Sequence, residues 1–451
     1  MESLPEPIDL LALHARHPDR YPALLESAAG PAVATGATSR YDLLFAGNGE
    51  GLALHADGRL HGDGFAPEGD DFLANLDRWF GQLPAQAAGE LPFQGGWLLF
   101  LGYELAAQIE PMLQLPAAPP GLPVALALRC PAAIVHDRVQ RRSLLIGEPG
   151  HEPLLARIRA DIATLAPLSG IPAAVAGTVE EDPPERFLQA VERIREYVRA
   201  GDVFQVNLSR RWQVELSRPT PVAELYRRLR AVNPAPFAGL LQWQGSALLS
   251  SSPERLVRRQ GVRVETRPIA GTHPRLENAA NDREQAARLL RHPKERAEHV
   301  MLLDLERNDL GRICVPGSVN VSEFMTIETY AHVHHIVSNV QGHLRTGIGP
   351  GGILRAVFPG GTITGAPKVR CMQIIAELEG EGRGAYTGSL GYLDRSGAMD
   401  LNILIRSLVL NGRRASFRTG AGIVADSDPP RELEETRAKA RGLLHLFEAV
   451  P

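Results

Sequence analysis

The sequence is poor in cysteine, with only Cys130, Cys314 and Cys371 among 451 residues. An odd number with no C-x-x-C spacing argues against a disulfide framework and a cysteine zinc site, and it favours the reducing cytoplasm. A charge excess of one sign is also missing, because 48 basic and 52 acidic residues leave a net charge of -4. Without a basic run, nucleic acid is not an expected partner.

Long apolar runs are absent as well. The stretch "PVALALRCPAAIV" (123–135) is interrupted by Arg129 and Pro131, and no uninterrupted run reaches membrane-spanning length. The start "MESLPEPIDL" lacks a basic segment followed by an apolar one, so no signal peptide is predicted. Hydrophobic content of 44% and charged content of 22% are typical of a globular protein. We therefore expect neither a membrane association nor export.

The chain divides into two regions joined by a Pro/Gly/Ala-rich segment. Residues 1–165 mix short strand-like runs with turns, residues 166–184 resemble a linker, and residues 185–451 carry the clearer patterns. The predicted strands of the second region are "FQVNLSRRWQVEL" (204–216), "FAGLLQW" (237–243), "SALLSSS" (246–252) and a meander formed by "AYTGSLGYLD" (385–394), "AMDLNILIRSLVL" (398–410) and "RASFRTGAGIVA" (414–425). Helices are predicted between the blocks of strands: one is capped by Asp182, one begins at Pro293, and one is capped by Ser427 or Asp428. Strands in blocks with helices between the blocks predict the α+β class.

Two predicted helices begin with carboxylates on the face that later carries leucines. In "PKERAEHVMLLDL" these are Glu295 and Glu298, and in "SDPPRELEETRAKARGLLHLF" they are Glu432 and Glu435, followed by Lys439. One interpretation is two ordinary helix starts with a Glu435–Lys439 surface pair. The other is that the four carboxylates converge on a cation, and an all-oxygen ligand set suits Mg²⁺.

Gly-rich segments offer candidate sites for a small acid. "FPGGTITGAPKVR" (358–370) runs into a helix, although it lacks the Walker A spacing, and "RTGAGIVADS" (418–427) contains Gly420 and Gly422. Both could equally be plain turns. Arg406 lies in the apolar run "LNILIRSLVL", where it needs either a ligand carboxylate or a protein acid as its partner.

A series of motifs between residues 185 and 447 resembles the chorismate-utilising enzymes, which include component I of anthranilate synthase and of aminodeoxychorismate synthase. In chain order the motifs are "SSSPERL" (250–256), "RPIAGT" (267–272), "KERAEHVMLLDLERNDLGR" (294–312), "HHIVSNVQG" (334–342), "GGTITGAPKVR" (360–370), "GAYTGSLGY" (384–392), "IRS" (405–407), "TGAGIVADSDP" (419–429) and "ETRAKA" (435–440). The first 165 residues match more loosely, at "LLES" (24–27), "RYDLL" (40–44) and "FQGGWLLFLGYEL" (93–105). The resemblance implies two layered antiparallel β-sheets with helices outside, built by both halves of the chain.

The resemblance also implies roles for individual positions. Glu298 and Glu435 would hold Mg²⁺ on the ring carboxylate of chorismate, with Glu295 and Glu432 beside it, and Glu254 would be the general acid/base at the C4 hydroxyl. Thr272 and His335 would be catalytic residues that line the ring together with Thr362. The other positions would bind the substrate: Tyr386 and Arg406 at the enolpyruvyl carboxylate, Lys439, Gly420 and Gly422 at the ring carboxylate, and also Gly271 and Ala421.

Position 270 leaves two reactions open. Spellings such as "GDVFQVNLSRR" (201–211) and "YTGSLGY" (386–392) are similar to aminodeoxychorismate synthases, which usually carry a nucleophilic lysine before Gly-Thr. Here that position is Ala270, as in anthranilate synthases, so no covalent intermediate can form there. The expected reaction is amination of chorismate at C4 for 4-aminobenzoate and folate biosynthesis, with ammonia itself adding at C2. The alternative is formation of anthranilate and pyruvate.

The resemblance further implies a partner and a second pocket. No glutaminase nucleophile is recognisable, so ammonia would come from a separate glutamine amidotransferase subunit. A non-catalytic sensor of chorismate or tryptophan is the alternative of another class. The positions of a possible tryptophan pocket are Ser27, Arg40, Tyr41, Asp42, Pro236, Phe237 and Ala238.

Overall fold

The protein is described by a computed structural model that covers residues 1–5, 8–28, 40–84, 86–87, 89–276, 278–329 and 333–449. Its helices are α1 (Leu10–Arg16), α2 (Phe72–Gln82), α3 (Ala106–Ile109), α4 (Glu152–Ala163), α5 (Pro184–Arg199), α6 (Val222–Val232), α7 (Ala279–Arg291), α8 (Pro293–Gly311), α9 (Pro350–Val357), α10 (Lys368–Glu379) and α11 (Pro429–Leu444). Short 3₁₀ turns cover Tyr103–Leu105 and Gly361–Ile363. No helix in these ranges is both long and apolar enough to cross a membrane.

Local capping sets where the helices begin. The Asp428 carboxylate accepts a hydrogen bond from the Arg431 amide at 3.1 Å, so α11 begins as its sequence predicts. Helix α8 also begins at the predicted Pro293. The expectation that Asp182 caps α5 is wrong. The Asp182 carboxylate instead accepts from the Arg211 amide at 2.8 Å, and the helix begins two residues later.

The strands of the described residues form two sheets. They are β1 (Glu2–Ser3), β2 (Ala23–Glu26), β3 (Tyr41–Ala46), β4 (Gly51–Leu54), β5 (Leu60–Asp63), β6 (Gly96–Leu101), β7 (Ala125–Cys130), β8 (Ala132–Asp137), β9 (Arg142–Gly147), β10 (Val175–Glu181), β11 (Gln205–Leu216), β12 (Phe237–Trp243), β13 (Ser246–Ser252), β14 (Arg255–Gln260), β15 (Arg263–Arg267), β16 (Ile269–Pro274), β17 (Asn320–Thr329), β18 (Val333–His343), β19 (Gly365–Ala366), β20 (Ser389–Asp394), β21 (Met399–Asn402), β22 (Ser407–Asn411), β23 (Arg414–Ile423) and β24 (Phe447–Ala449).

The first sheet has the order β1-β9-β8-β3-β2-β12-β13-β22-β23-β11-β10-β24, with β19 added beside β11. The second has the order β16-β18-β15-β14-β21-β20-β6-β7-β4-β5, with β17 added beside β18. The pairing between β10 and β24 is parallel, whereas the two sheets are otherwise antiparallel. The two regions of the chain meet inside both sheets, because β2 pairs with β12 and β6 pairs with β20.

The segment 166–184, expected to be a linker, contains β10. That expectation does not hold for its second half, because the β10 backbone pairs with β11 on one side and with β24 on the other. The predicted meander is also divided. Strands β20 and β21 belong to the second sheet, whereas β22 and β23 belong to the first.

Alternating side chains build three apolar layers. Leu98 of β6 and Leu248 of β13 each point toward the opposite sheet and pack in a core between the two sheets. Their neighbours point the opposite way: Leu99 packs with α2, α8 and α9 outside the second sheet, and Leu249 packs with α1, α6 and α11 outside the first. The structure thus confirms the predicted α+β sandwich with helices outside. It also explains why these strands are apolar at consecutive positions, since both of their faces are buried.

Candidate active site

The chain crosses from one sheet to the other at two neighbouring places, and each crossing carries a candidate residue. Glu254 lies between β13 and β14, and Arg406 lies between β21 and β22. The crossings are tied together, because the Ile403 amide donates to the Glu254 carbonyl at 3.0 Å and the Ser251 amide donates to the Arg406 carbonyl at 3.1 Å. Arg406 has a φ of 51°, so the strand predicted over 398–410 is in fact two strands separated at this residue.

The Glu254 carboxyl is buried at its crossing. The Ile269 amide donates to its Oε1 at 3.2 Å. Burial raises the pKa of Glu254 to about 8, with a smaller rise from Glu306, while Thr362, Ile269 and Arg406 act in the lowering direction. The carboxyl therefore carries its proton at neutral pH, which is the state that a general acid needs.

His335 lies near residues of both α8 and α11. Its Nδ1 lies 3.4 Å from the Gly271 carbonyl oxygen, and burial, with Arg406 and Lys439 nearby, lowers the pKa of His335 to about 3. Gly271 has a φ of 68°, and a Cβ there would lie 2.9 Å from Oε2 of Glu295 on α8. Helix α8 (through Glu295) and helix α11 (through Lys439) thus both reach this segment, where the imidazole is neutral.

Two glycines of β23 allow neighbouring side chains to lie directly against the strand. A Cβ at Gly420 would lie 2.7 Å from the Tyr386 hydroxyl and 2.8 Å from Asn207 Oδ1. A Cβ at Gly422 would lie 2.0 Å from Gln205 Nε2. Ala421 between them points the other way, into a core with α5 and α10, so only its backbone can face a ligand.

Gln205 and Asn207 were missed by the sequence analysis. Their side-chain oxygens are buried and accept no hydrogen bond from the part of the chain that the structure describes. Buried acceptors of this kind need a donor, and a ligand is one source. Their signal was present in the sequence, because two polar residues at i and i+2 in a predicted strand share one face.

A buried ion pair supports the Tyr386 side of the site. The Arg383 guanidinium lies 2.6 Å from Glu379 Oε1 and 5.5 Å from the Tyr386 ring centroid. Arg418 joins the same carboxylate at 3.1 Å. Burial raises the pKa of Tyr386 to about 12, so its hydroxyl remains a donor at neutral pH.

The four carboxylates proposed for the metal differ in exposure. Glu432 is buried, Glu295 and Glu298 are half-buried, and Glu435 is exposed, 2.7 Å from Lys439 Nζ. Among the described residues, no three His, Cys, Asp or Glu side chains are grouped as ligands of one ion. The donor chemistry suits Mg²⁺, because every candidate is a carboxylate, but the structure does not gather these donors. The metal remains a prediction.

The remaining candidates are placed as follows. Ala270 is buried on β16, next to an irregularity of the β16–β18 pairing, and Thr362 lies in the 3₁₀ turn with its hydroxyl buried. Lys439 Nζ donates to the Gly420 carbonyl at 3.0 Å. The side chain of Thr272 lies outside the described part of the structure, so its role remains a prediction.

A second cavity, of about 200 Å³, opens between the sheets. It is lined by most of the residues predicted for a tryptophan pocket: Ser27, Tyr41, Pro236, Phe237 and Ala238. Asp42 does not line it but accepts from the Ser27 amide at 3.1 Å. Arg40 turns away, because its guanidinium binds Asp137 at 2.7 Å.

Comparison with known proteins assigns the family. The profile of the family described as "chorismate binding enzyme" matches residues 59–445. The chain belongs to this family. It is 42% identical to aminodeoxychorismate synthase component 1 of Bacillus subtilis over 402 residues, which is 86% of this chain and 84% of that protein. It is also 45% identical to anthranilate synthase component 1 of Thermus thermophilus over 366 residues, 79% of this chain and 78% of that protein.

A solved structure agrees with this assignment. Anthranilate synthase component I of Streptococcus pneumoniae superposes with a TM-score of 0.82 at 32% identity, covering 91% of this chain and 93% of that one. The chain therefore has the predicted family and fold, and it is an enzyme that acts on chorismate. Relatives with two different reactions are about equally similar to it.

Proposed function

We propose that this chorismate-binding enzyme is an aminodeoxychorismate synthase component I, which replaces the C4 hydroxyl of chorismate by an amine. The observation that carries the proposal is the buried, protonated Glu254 carboxyl at the sheet crossing beside Arg406. The choice of C4 as the aminated carbon rests on the spellings "FPGGTITGAPK" (358–368) and "YTGSLGY" (386–392). Ala270 favours anthranilate synthase, which is the second candidate.

The charges of the site suit the substrate. Chorismate is a dianion, and Arg406 and Lys439 supply two cations near His335. The neutral imidazole and the Tyr386 hydroxyl can bind the ring and a carboxylate without competing for the proton of Glu254. Glu254 donates that proton to the departing C4 oxygen, which leaves as water.

Ala270 determines what can attack the ring. Its methyl group cannot act as a nucleophile, so the first ammonia adds at C2 as the double bond shifts and the C4 hydroxyl leaves. A second ammonia then adds at C4, and the C2 amine is expelled. The net reaction consumes one ammonia and releases one water. Elimination of pyruvate after the first addition would instead give anthranilate.

We further propose that Glu298 and Glu435 hold Mg²⁺ with help from Glu295 and Glu432. A bound Mg²⁺ would withdraw electron density through the ring carboxylate. Lys439 Nζ lies 2.7 Å from Glu435 Oε1, so this lysine would have to share the carboxylate with Mg²⁺ or turn toward the substrate.

Ammonia is proposed to come from a separate glutamine amidotransferase subunit. The relatives from Bacillus subtilis and Thermus thermophilus are both called "component 1", a name that implies a second component. The three cysteines of this chain are buried thiols, and burial raises the pKa of each, so none is suited to be a glutaminase nucleophile. We expect the enzyme to act in the cytoplasm.

One assay separates the two reactions. The purified chain is incubated with chorismate, Mg²⁺ and ammonium at alkaline pH, with and without an aminodeoxychorismate lyase. Formation of 4-aminobenzoate only when the lyase is present supports the proposal. Anthranilate fluorescence without the lyase would reject it in favour of the second candidate, and binding of chorismate without any turnover would indicate a sensor.

The account of position 270 has its own test. Ala270→Lys should form a covalent adduct with chorismate that is visible by mass spectrometry, because the new amine replaces the first ammonia. Ala270→Met is the matched control, since its side chain has similar length but no amine. An active Ala270→Lys variant without an adduct would contradict this account.

A further inference from the structure

A second buried carboxyl, that of Glu306, lies near Glu254. Glu306 of α8 is 6% exposed, and its Oε1 would lie 3.4 Å from a Cβ on Gly361. The same 3₁₀ turn carries Thr362, which interacts with Glu254. The two carboxyls therefore meet the Gly361–Ile363 turn at adjacent residues, and Glu306 acts to raise the pKa of Glu254.

We propose that Glu306 is a positioning residue that keeps the Glu254 carboxyl protonated and ready to donate. This proposal rests on the proposed role of Glu254 as the acid of the reaction. It assigns Glu306 an electrostatic function without contact to substrate. The ordinary alternative is a buried acid that only fills and stabilises the interior.

The charges around Glu306 favour the electrostatic role. Lys368 of α10 is the cation facing it, but Lys368 Nζ already bonds Asp309 Oδ2 at 2.5 Å and the Val357 carbonyl at 3.4 Å. One ammonium thus serves two carboxyls of α8, and Arg312 adds a further cation only beside Asp309. The hydroxyl of Thr266 and the backbone of Gly361 also act on Glu306.

Glu254 is also surrounded by charged and polar groups. It faces Glu306 from α8, Arg406 from the second crossing, the Ile269 amide from β16 and Thr362 from the turn. Burial and the neighbouring Asp309 raise the pKa of Glu306, and burial raises the pKa of Glu254 to about 8, so the two carboxyls do not readily lose both of their protons. A negative charge at Glu306 opposes a second negative charge at Glu254.

The test removes that charge and keeps the shape. Glu306→Gln should lower the midpoint at which Glu254 loses its proton by about one to three pH units, the range expected for two charges about 4–12 Å apart at an effective dielectric of about 20. The alkaline limb of the pH–rate profile, measured with chorismate and ammonium, should move to lower pH by the same amount. Glu306→Asp, which keeps the charge, should restore the wild-type midpoint.

The midpoint is measured without turnover by infrared spectroscopy. The C=O stretch of protonated Glu254, assigned by its loss in Glu254→Gln, is followed as the pH rises through the wild-type midpoint near 8. Thermal unfolding confirms that each variant is folded. Glu306→Met is a second neutral variant in case Glu306→Gln does not fold, because an apolar side chain of similar volume often replaces a buried charge without loss of stability.

The outcomes separate this proposal from the proposed function. An unchanged infrared midpoint in a folded neutral variant overturns the role of Glu306, whatever product the enzyme makes. If the infrared midpoint of Glu254 shifts but the pH profile of turnover does not, the proposal is also overturned. In that case the protonation state of Glu254 does not control the rate. Failure of the proposed function shows separately, in the product of the wild-type enzyme.

Discussion

Adding one methyl group at Gly420 tests whether the close approach of Tyr386 and Asn207 to β23 is needed. In Gly420→Ala the new Cβ would lie 2.7 Å from the Leu208 carbonyl oxygen, 2.7 Å from the Tyr386 hydroxyl and 2.8 Å from Asn207 Oδ1. All three distances are shorter than a carbon–oxygen van der Waals contact. The Leu208 oxygen belongs to the backbone of β11, which pairs with β23 along its length, so it cannot retreat without disturbing the sheet.

The structure sets the size of the effect. Overpacking of this kind costs about 1–3 kcal/mol of unfolding free energy. For a chain of this length, an unfolding entropy of about 2 cal/mol/K per residue converts that to a fall in Tm of about 1–3 °C. Displacing the Tyr386 hydroxyl should also lower kcat/KM for chorismate about tenfold to hundredfold, as expected when a hydrogen bond to a charged group is lost.

The stability change is measured by urea unfolding and the activity by chorismate consumption. Gly81→Ala is the control, because a Cβ at Gly81 in α2 meets nothing within 4 Å. That control should gain about 0.5–1 kcal/mol from the better helix propensity of alanine, with unchanged activity. Adding Tyr386→Phe to Gly420→Ala should recover part of the lost stability, because one of the three close contacts disappears.

A clear result would refute this reasoning. If Gly420→Ala unfolds at the same urea concentration as the wild type and keeps its kcat/KM, the close approach of Tyr386 and Asn207 to Gly420 is not part of the substrate site. If stability falls but kcat/KM does not, the glycine serves only the packing of the two strands.

Three other predictions concern different parts of the molecule. Glu379→Gln should lower the unfolding free energy by about 3–5 kcal/mol, because two buried guanidiniums lose their shared carboxylate, and an unchanged urea midpoint would contradict this. Calorimetry with chorismate present should show Mg²⁺ binding at least about tenfold weaker in Glu298→Gln and Glu435→Gln, and equal affinity would exclude them as ligands. Ala238→Leu should narrow the second cavity and weaken binding of L-tryptophan about tenfold without changing turnover, whereas a wild-type chain that does not bind tryptophan would reject that pocket assignment.

Local patterns predicted the elements whose formation depends on neighbouring residues. The ranges of β12 and β13 agree with the predicted strands, and α11 begins at the cap expected from Asp428. Alternation and capping act over a few residues, so the sequence shows them directly. The family motifs also placed Glu254 and Arg406 among the site residues before any contact between them was known.

The sheet crossings could not be predicted in this way. The run "LNILIRSLVL" (401–410) has the composition of one strand, yet it is divided between two sheets at Arg406, and β10 lies where a linker was expected. Glu306 likewise looks like any other helical acid in the sequence.

The sequence by itself thus determined the family, most of the strands and helices, and the chemical types of the residues in the site. The tertiary structure alone decided which carboxyls are buried together, which backbone segments cross between sheets and which side chains face the glycines of β23. The physical reason is that burial and strand pairing depend on partners more than a hundred residues away, such as Ser250 with Ser407 and Asn207 with Gly422.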